Sequence, residues 1–274
     1  MPGSQRSLPC FRRPETTLPQ DSASAGPVDL QHIGFPTWCS DGIAVHSSPM
    51  EAQRRGPGML DRWARFIDSL YEAGIATSGD AKRIFEELDG GYTQAHRHYH
   101  NWFHIALCLD ELEAARSLAT SPIAVEMAVW FHDAVYIPGA PDNERLSAEM
   151  AQEAAESLHL PPAIVREVAD LVLATQHLSG EKPTGGPDGS LIRDIDLSIF
   201  GQTPQQFNRY EEGIRLEYAS VPDRRRWERR LAVLEMFLSL RKIYETGYFR
   251  ARYEQQARRN LERSTLRLRR LIAG

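Results

Sequence analysis

The segment Val129-Trp130-Phe131-His132-Asp133-Ala134 sets a His-Asp pair directly behind an apolar run that reads as a buried helix. An imidazole and a carboxylate withdrawn from water without partners cost several kcal/mol. The fold must therefore supply partners for both. A divalent metal is one such partner, because the Asp is ionised at neutral pH and the imidazole can stay neutral. A hydrogen-bonded core histidine beside a helix-terminal aspartate is the plainer alternative, and for the pair taken alone it is the better one.

Other parts of the chain shift that balance. Tyr92 to Leu109 carries His96, His98, His100 and His104. The spacing predicts a helix from Arg97 to Leu118 on which His100 and His104, four apart, share one face. Farther on, Leu191-Ile192-Arg193-Asp194-Ile195-Asp196-Leu197 embeds two carboxylates in apolar sequence. Residues two apart on a helix point about 200° apart, so only one of Asp194 and Asp196 can face a given site.

A histidine, then a His-Asp pair, then a later aspartate is the ligand order of the HD superfamily of metal-dependent phosphohydrolases, which this chain resembles. It resembles more closely the family of predicted metal-dependent HD phosphohydrolases. The residues that carry this are Tyr99-His100-Asn101…His104-Ile105, Asn143-Glu144…Ser147-Ala148, Asp194-Ile195-Asp196-Leu197-Ser198-Ile199-Phe200-Gly201 and Glu254…Ala257-Arg258-Arg259-Asn260-Leu261. The likeness runs from about Leu60 to the C-terminus. It implies an all-α, HD-domain-like helical bundle with a metal between helices, held by His104, His132, Asp133 and Asp196. Asp196 is preferred to Asp194 because Leu197 follows it; Asp194 would cap the helix or bind Arg193. The implied reaction is hydrolysis of a small phosphorylated substrate by metal-activated water, with nucleotides as the substrate class by analogy.

A mixed imidazole and carboxylate set suits Mn, Fe, Co, Ni or Zn, and suits Mg less well. Such an ion lowers the pKa of water and polarises a phosphoryl oxygen. The chain has no Gly-rich phosphate loop and no serine nucleophile elbow, so covalent routes lack support. Three residues are candidates for catalytic roles. His100 would orient substrate or hold a second ion, against an outer or surface histidine at even weight. Glu144 would act as general base or orient water, against an acid favoured by a helix N-terminus. His177 would face the phosphate, against the favoured alternative of a helix-terminal histidine. Arg97 and Lys182 are weaker phosphate-binding candidates, since such charges are usually only solvated.

Residues 1–57 are rich in Pro, Gly and Ser without apolar periodicity and read as a loosely ordered extension. Residues 58–274 read as one helical domain, and no run alternates long enough to argue a sheet. Leu60, Trp63, Phe66, Ile67, Leu70 and Tyr71 mark a first helix. Asp80 is placed to cap a second holding Ile84, Phe85 and Leu88, which Gly90-Gly91 would break. Helices are also expected from Pro122 to the doublet, from Asn143 to Leu158, from Pro161-Pro162 through Val172, and onward from Asp194; Lys182 to Gly189 reads as a loop. No apolar stretch reaches the ~18 residues of a membrane span. The N-terminus lacks the apolar core of a secretory signal, and Cys10, Cys39 and Cys108 form no Cys-x-x-Cys pair. A cytoplasmic setting is expected, and an oligomer is compatible with the sequence.

The net charge of −5 is uneven: residues 224–274 hold 15 Lys+Arg against 5 Asp+Glu. A nucleic-acid surface is one reading, and a solvated helix face paired with acidic groups is the favoured one. Two functions therefore compete with the enzyme: a metal- or nucleotide-binding sensor without turnover, and an RNA-associated protein using the basic C-terminal helices.

Overall fold

The computed structural model describes residues 58–75, 80–177 and 185–274, and all regular structure among them is helical. The expected extension over residues 1–57 and the candidate Lys182 lie outside the described residues. The helices are α1 (Met59–Glu72), α2 (Ala81–Tyr92), α3 (Trp102–Ala115), α4 (Pro122–Phe131), α5 (Asn143–Ser157), α6 (Pro162–Ala174), α7 (Gly186–Asp196), α8 (Pro204–Glu217), α9 (Asp223–Ser239) and α10 (Gly247–Ala273). Short 3-10 turns follow α3 (Arg116–Leu118) and α7 (Leu197–Gly201).

α4 is the axis of the core. It begins with Pro at its first turn, where a missing N–H costs nothing. Ala124, Val125 and every residue from Met127 to Phe131 are buried. A helix apolar at every position but Glu126 has to be surrounded, and α3, α5, α6 and α7 pack around it. The buried face of α5 is Ser147, Ala148, Ala151, Ala154 and Ala155; such small side chains let α6 approach closely. Trp130 at the end of α4 meets Trp63 and Trp102 edge-on at ring distances of 5.3 and 6.0 Å, tying α1 and α3 to the centre.

Several local expectations change. In α1, Leu60 and Tyr71 are exposed, and Met59, Trp63, Phe66, Ile67 and Leu70 form its buried stripe. Asp80 stands at the N-cap of α2 but makes no cap bond; its carboxylate instead accepts from Ser157 and Arg83. α2 continues through Gly90-Gly91 to Tyr92, because a glycine pair lowers helix propensity without abolishing it when packing holds the turn. The helix expected from Arg97 starts only at Trp102, where the Asn101 side chain caps it by accepting the Phe103 N–H at 2.9 Å. The loop expected to reach Gly189 ends earlier, since α7 starts at Gly186.

The last helices close over the site. Thr203 and Gln206 form a reciprocal capping box at the start of α8. α10 lies across the 3-10 turn Leu197–Gly201, so close that a Cβ at Gly201 would overlap Tyr253. Asn260 Nδ2 donates to the carbonyls of Phe200 and Gln202, both at 2.8 Å. Glu254 accepts the N–H groups of Ile243 and Tyr244. The Glu254…Asn260 motif thus clamps backbone and does not enter the site. Some basic side chains of α9 and α10 pair with acids, Arg230 with Glu211, Arg258 with Glu254 and Arg269 with Glu235 among them. No helix of the described residues is long and apolar enough to cross a membrane.

Candidate metal centre

His104, His132, Asp133 and Asp196 meet between α3, the C-terminal end of α4 and the end of α7. His104 Nε2 lies 3.0 Å from His132 Nε2, 3.3 Å from Asp133 Oδ2 and 3.2 Å from Asp196 Oδ1. His132 Nε2 lies 3.4 Å from Asp133 Oδ2 and 3.7 Å from Asp196 Oδ1. Atoms held about 2.1 Å from a common centre are about 3.0 Å apart at right angles and about 3.4 Å apart in a tetrahedron. Four of the five separations fall within these limits, and the fifth, 3.7 Å between His132 and Asp196, needs a somewhat wider angle at a common ion.

The imidazoles are set up as donors of lone pairs. His132 Nδ1 is 3.0 Å from the Val129 carbonyl, so Nδ1 carries the proton and Nε2 is bare in the neutral ring. His104 Nδ1 is 2.9 Å from the Tyr99 hydroxyl, which can accept from it in the same way. Two bare nitrogens 3.0 Å apart repel unless a cation stands between them and the carboxylates. The side chains of His104 and His132 are 0% and 2% exposed, whereas both carboxylates are 19% exposed. The cluster thus has a buried imidazole floor and a carboxylate edge towards solvent.

The electrostatics point the same way. Burial works against ionised Asp133 and Asp196, yet neighbouring histidines hold both carboxyls below the usual range. Burial equally disfavours a charged His132, and Asp133 and Asp196 outweigh it and push the ring up. The cluster calls for positive charge, which protons or a metal ion can supply.

Cys108 is a neighbour absent from the expected set, and its sulfur falls within 4.8 Å of donor atoms of His104, His132 and Asp196. It lies 3.7 and 3.8 Å from the two ring nitrogens of His104. A sulfur nearly equidistant from both nitrogens sits beside the ring, whereas Asp133 Oδ2 is close to both Nε2 atoms. Asp133 is the better-placed fourth donor.

The doublet's turn is fixed from across the chain. Arg97, read above as a weak phosphate-binding candidate, is instead buried. It donates to the carbonyls of Asp133, Ala134 and His100 at 2.5, 2.8 and 3.2 Å. A cation over the end of α4 complements its dipole and joins the histidine loop to the His-Asp turn. Gly91 makes room for this contact, since a Cβ there would stand 2.9 Å from the Ala134 carbonyl oxygen.

Asp194 and Asp196 face different partners, as their spacing requires. Asp194 neither caps its own helix nor binds Arg193. It is buried and accepts from the N–H groups of Glu245 and Thr246 and from the Thr246 hydroxyl at 2.8, 2.7 and 2.6 Å, anchoring the start of α10. Arg193 donates to the Ala174 carbonyl at 2.9 Å.

His100 precedes α3, so the shared helical face expected for His100 and His104 does not exist; their rings still come within 6.0 Å. Its placement depends on Glu217, which no local pattern marks. Glu217 accepts the N–H groups of His98, Tyr99 and His100 at 2.8, 2.7 and 3.0 Å, and His100 Nδ1 and the Tyr136 hydroxyl at 2.7 and 2.9 Å. Burial alone would raise the Glu217 carboxyl, but His100 and these N–H donors lower it to about 2. Gly213 permits the approach of α8, because a Cβ there would lie 2.9 Å from Tyr99 Cβ.

His177 Nε2 is 2.6 Å from Asp196 Oδ2, while its Nδ1 is buried without a partner among the described residues. Glu144, in the first turn of α5, has its carboxyl raised by burial, with Asp133 and Asp196 adding to the effect. Its motif neighbours are structural. Asn143 bonds both polar atoms of the Ile137 backbone, and Ser147 bonds those of Val135. His100, Asp133, Glu144, His177 and Asp196 all line one cavity of about 790 Å³. No protein-family model, curated protein or solved structure matches the chain.

Proposed function

We propose that this protein is a metal-dependent phosphohydrolase of HD type. The observation that carries the reading is the convergence of His104, His132, Asp133 and Asp196, with both Nε2 atoms turned towards the carboxylates and the carboxylates towards a cavity. These residues would hold a divalent transition metal. When bound, such an ion supplies Lewis acidity towards a phosphoryl oxygen and lowers the pKa of water.

The remaining residues supply positioning and proton transfer. Glu144, whose carboxyl is raised by burial and lines the cavity, can take a proton from water entering there. His177 holds Asp196 Oδ2, which leaves Oδ1 turned to the imidazoles. His100 is fixed through Nδ1 by Glu217, so its Nε2 is the atom left to hydrogen-bond a phosphate oxygen or the departing oxygen. The buried floor keeps bulk water away from the imidazole side.

The test is metal analysis of purified full-length protein, followed by assays on a panel of phosphate esters before and after chelation. Stoichiometric metal with hydrolysis that chelator stops and added Mn or Zn restores is expected. Stoichiometric metal without turnover of any ester would favour a sensor, and absence of metal would overturn the reading.

A further inference from the structure

We infer that the substrate is a phosphate ester whose alcohol part is a bulky apolar group, received by the cavity that opens from the carboxylate edge. This deepens the phosphohydrolase reading and rests on it for the metal at the phosphoryl end and for the reaction, but not for the apolar part of the binding.

The cavity reaches from Asp133, Asp196 and His177 to the facing sides of α9 and α10. At about 790 Å³ it falls in the size range of organic ligand sites and is far larger than a phosphate group needs. Away from the carboxylates its walls include Ile199, Phe200, Trp227, Val233, Phe237 and Leu268. Phe200, Phe237 and Leu268 are among the buried core side chains, so this wall is a built surface.

Much of the polar lining is already engaged. Arg215 is paired with Glu212, and Arg230 with Glu211 and the Tyr210 hydroxyl. Arg226 donates to the carbonyls of Tyr218 and Val221, and Asn143 uses both amide ends on Ile137. Arg229 and Arg267 stand exposed at the rim. A nucleobase sealed against such walls would leave edge donors and acceptors unpaired, which is costly. An alkyl, prenyl or aryl body has none to lose and gains by leaving water.

In the reaction, water adds to phosphorus as the bond from phosphorus to the ester oxygen breaks. The alcohol leaves carrying a proton, and inorganic phosphate is the other product. The phosphoryl end belongs at Asp133 and Asp196, and the apolar body extends towards Val233 and Phe237.

The test uses n-alkyl phosphonates from ethyl to octyl, which cannot be hydrolysed, titrated calorimetrically into the full-length Mn-loaded protein. Affinity should rise roughly three- to fourfold per added methylene, and octyl phosphonate should bind more tightly than AMP, UMP or inorganic phosphate. Val233→Glu, at a half-buried position inside the cavity, should flatten this slope; Leu271→Ser, at the exposed rim, should only reduce it for the longest chains. Affinity independent of chain length, tighter binding of AMP or UMP, or an unchanged slope in Val233→Glu would overturn the inference. Hydrolysis of short esters without chain-length dependence would remove the substrate class and leave the phosphohydrolase reading intact. A steep slope with no turnover of octyl phosphate would do the opposite.

Discussion

His177 Nε2 lies 2.6 Å from Asp196 Oδ2, while Oδ1 of the same carboxylate lies 3.2 Å from His104 Nε2. One aspartate is thereby shared between the buried imidazole floor and a histidine from the loop after α6. The outer contact sets which oxygen faces inward, a common role for groups behind metal ligands.

Replacing His177 with Ala should therefore weaken metal binding by about 10- to 100-fold without abolishing it. Because His177 lies in a turn outside the helices, the melting temperature of the metal-free protein should change little. Competition with a chelator of known affinity measures the first effect and a thermal melt the second. Unchanged metal affinity would show that the contact does not orient Asp196.

Asp196→Asn and Asp194→Asn should separate metal binding from folding. The first removes an inward carboxylate and should lose the metal while the apoprotein keeps its helical signal. The second weakens three hydrogen bonds at a buried position and should cost about 1–3 kcal/mol of stability while keeping the metal. Metal analysis by mass spectrometry beside urea unfolding distinguishes the pair, and the reverse pattern would exchange the two roles.

Glu217 should make the fold acid-sensitive in a defined window. Its folded pKa of about 2 lies below the ordinary 4.5, so its contribution is fully present above about pH 4.5 and is lost as pH falls towards 2. The difference corresponds to about 3 kcal/mol. Glu217→Gln should be destabilised by about that much at pH 7, and its deficit should shrink on acidification. Urea unfolding between pH 3 and 7 tests this; a deficit constant with pH would assign the effect to packing.

Gly91 and Gly90 are adjacent but should respond oppositely to alanine. A Cβ at Gly91 meets the Ala134 carbonyl oxygen at 2.9 Å, and backbone cannot swing aside, so Gly91→Ala should cost about 1–3 kcal/mol. Gly90 has open space within α2, so Gly90→Ala should stabilise by about 0.5–1 kcal/mol. Thermal melts of the two variants decide it, and similar responses would remove the close approach as the reason for Gly91.

Glu144→Gln should leave metal content unchanged and lower kcat by about 10²- to 10⁴-fold if the carboxylate is the base. A base must be unprotonated, and burial raises the Glu144 carboxyl, so wild-type kcat should rise with pH along a limb displaced above the ordinary glutamate range. The variant should lack that limb. A full pH–rate profile is the measurement, and the same limb in both proteins would assign it to another group.

The all-α class was legible because helical periodicity is a local property, written in each segment by its own apolar spacing. Trp63, Phe66 and Leu70, together with Val125 and Met127 to Phe131, are buried as their spacing indicates. The order His104, His132-Asp133, Asp196 marked residues that come together, since donors embedded in apolar helices must find one another when the helices pack. Helix boundaries were less legible. Asn101 stops α3 from extending back over His100, and Gly90-Gly91 stay helical, because capping and packing outweigh propensity there. Only the tertiary structure assigned Glu217 to the His100 loop, Arg97 to the Asp133 turn and Asp194 to the start of α10. Each is a charge held in large part by backbone groups elsewhere in the fold. Apart from the N–H that proline lacks, backbone N–H and C=O groups are the same in every residue, so a sequence shows which side chains carry charge but not which peptide groups will meet them.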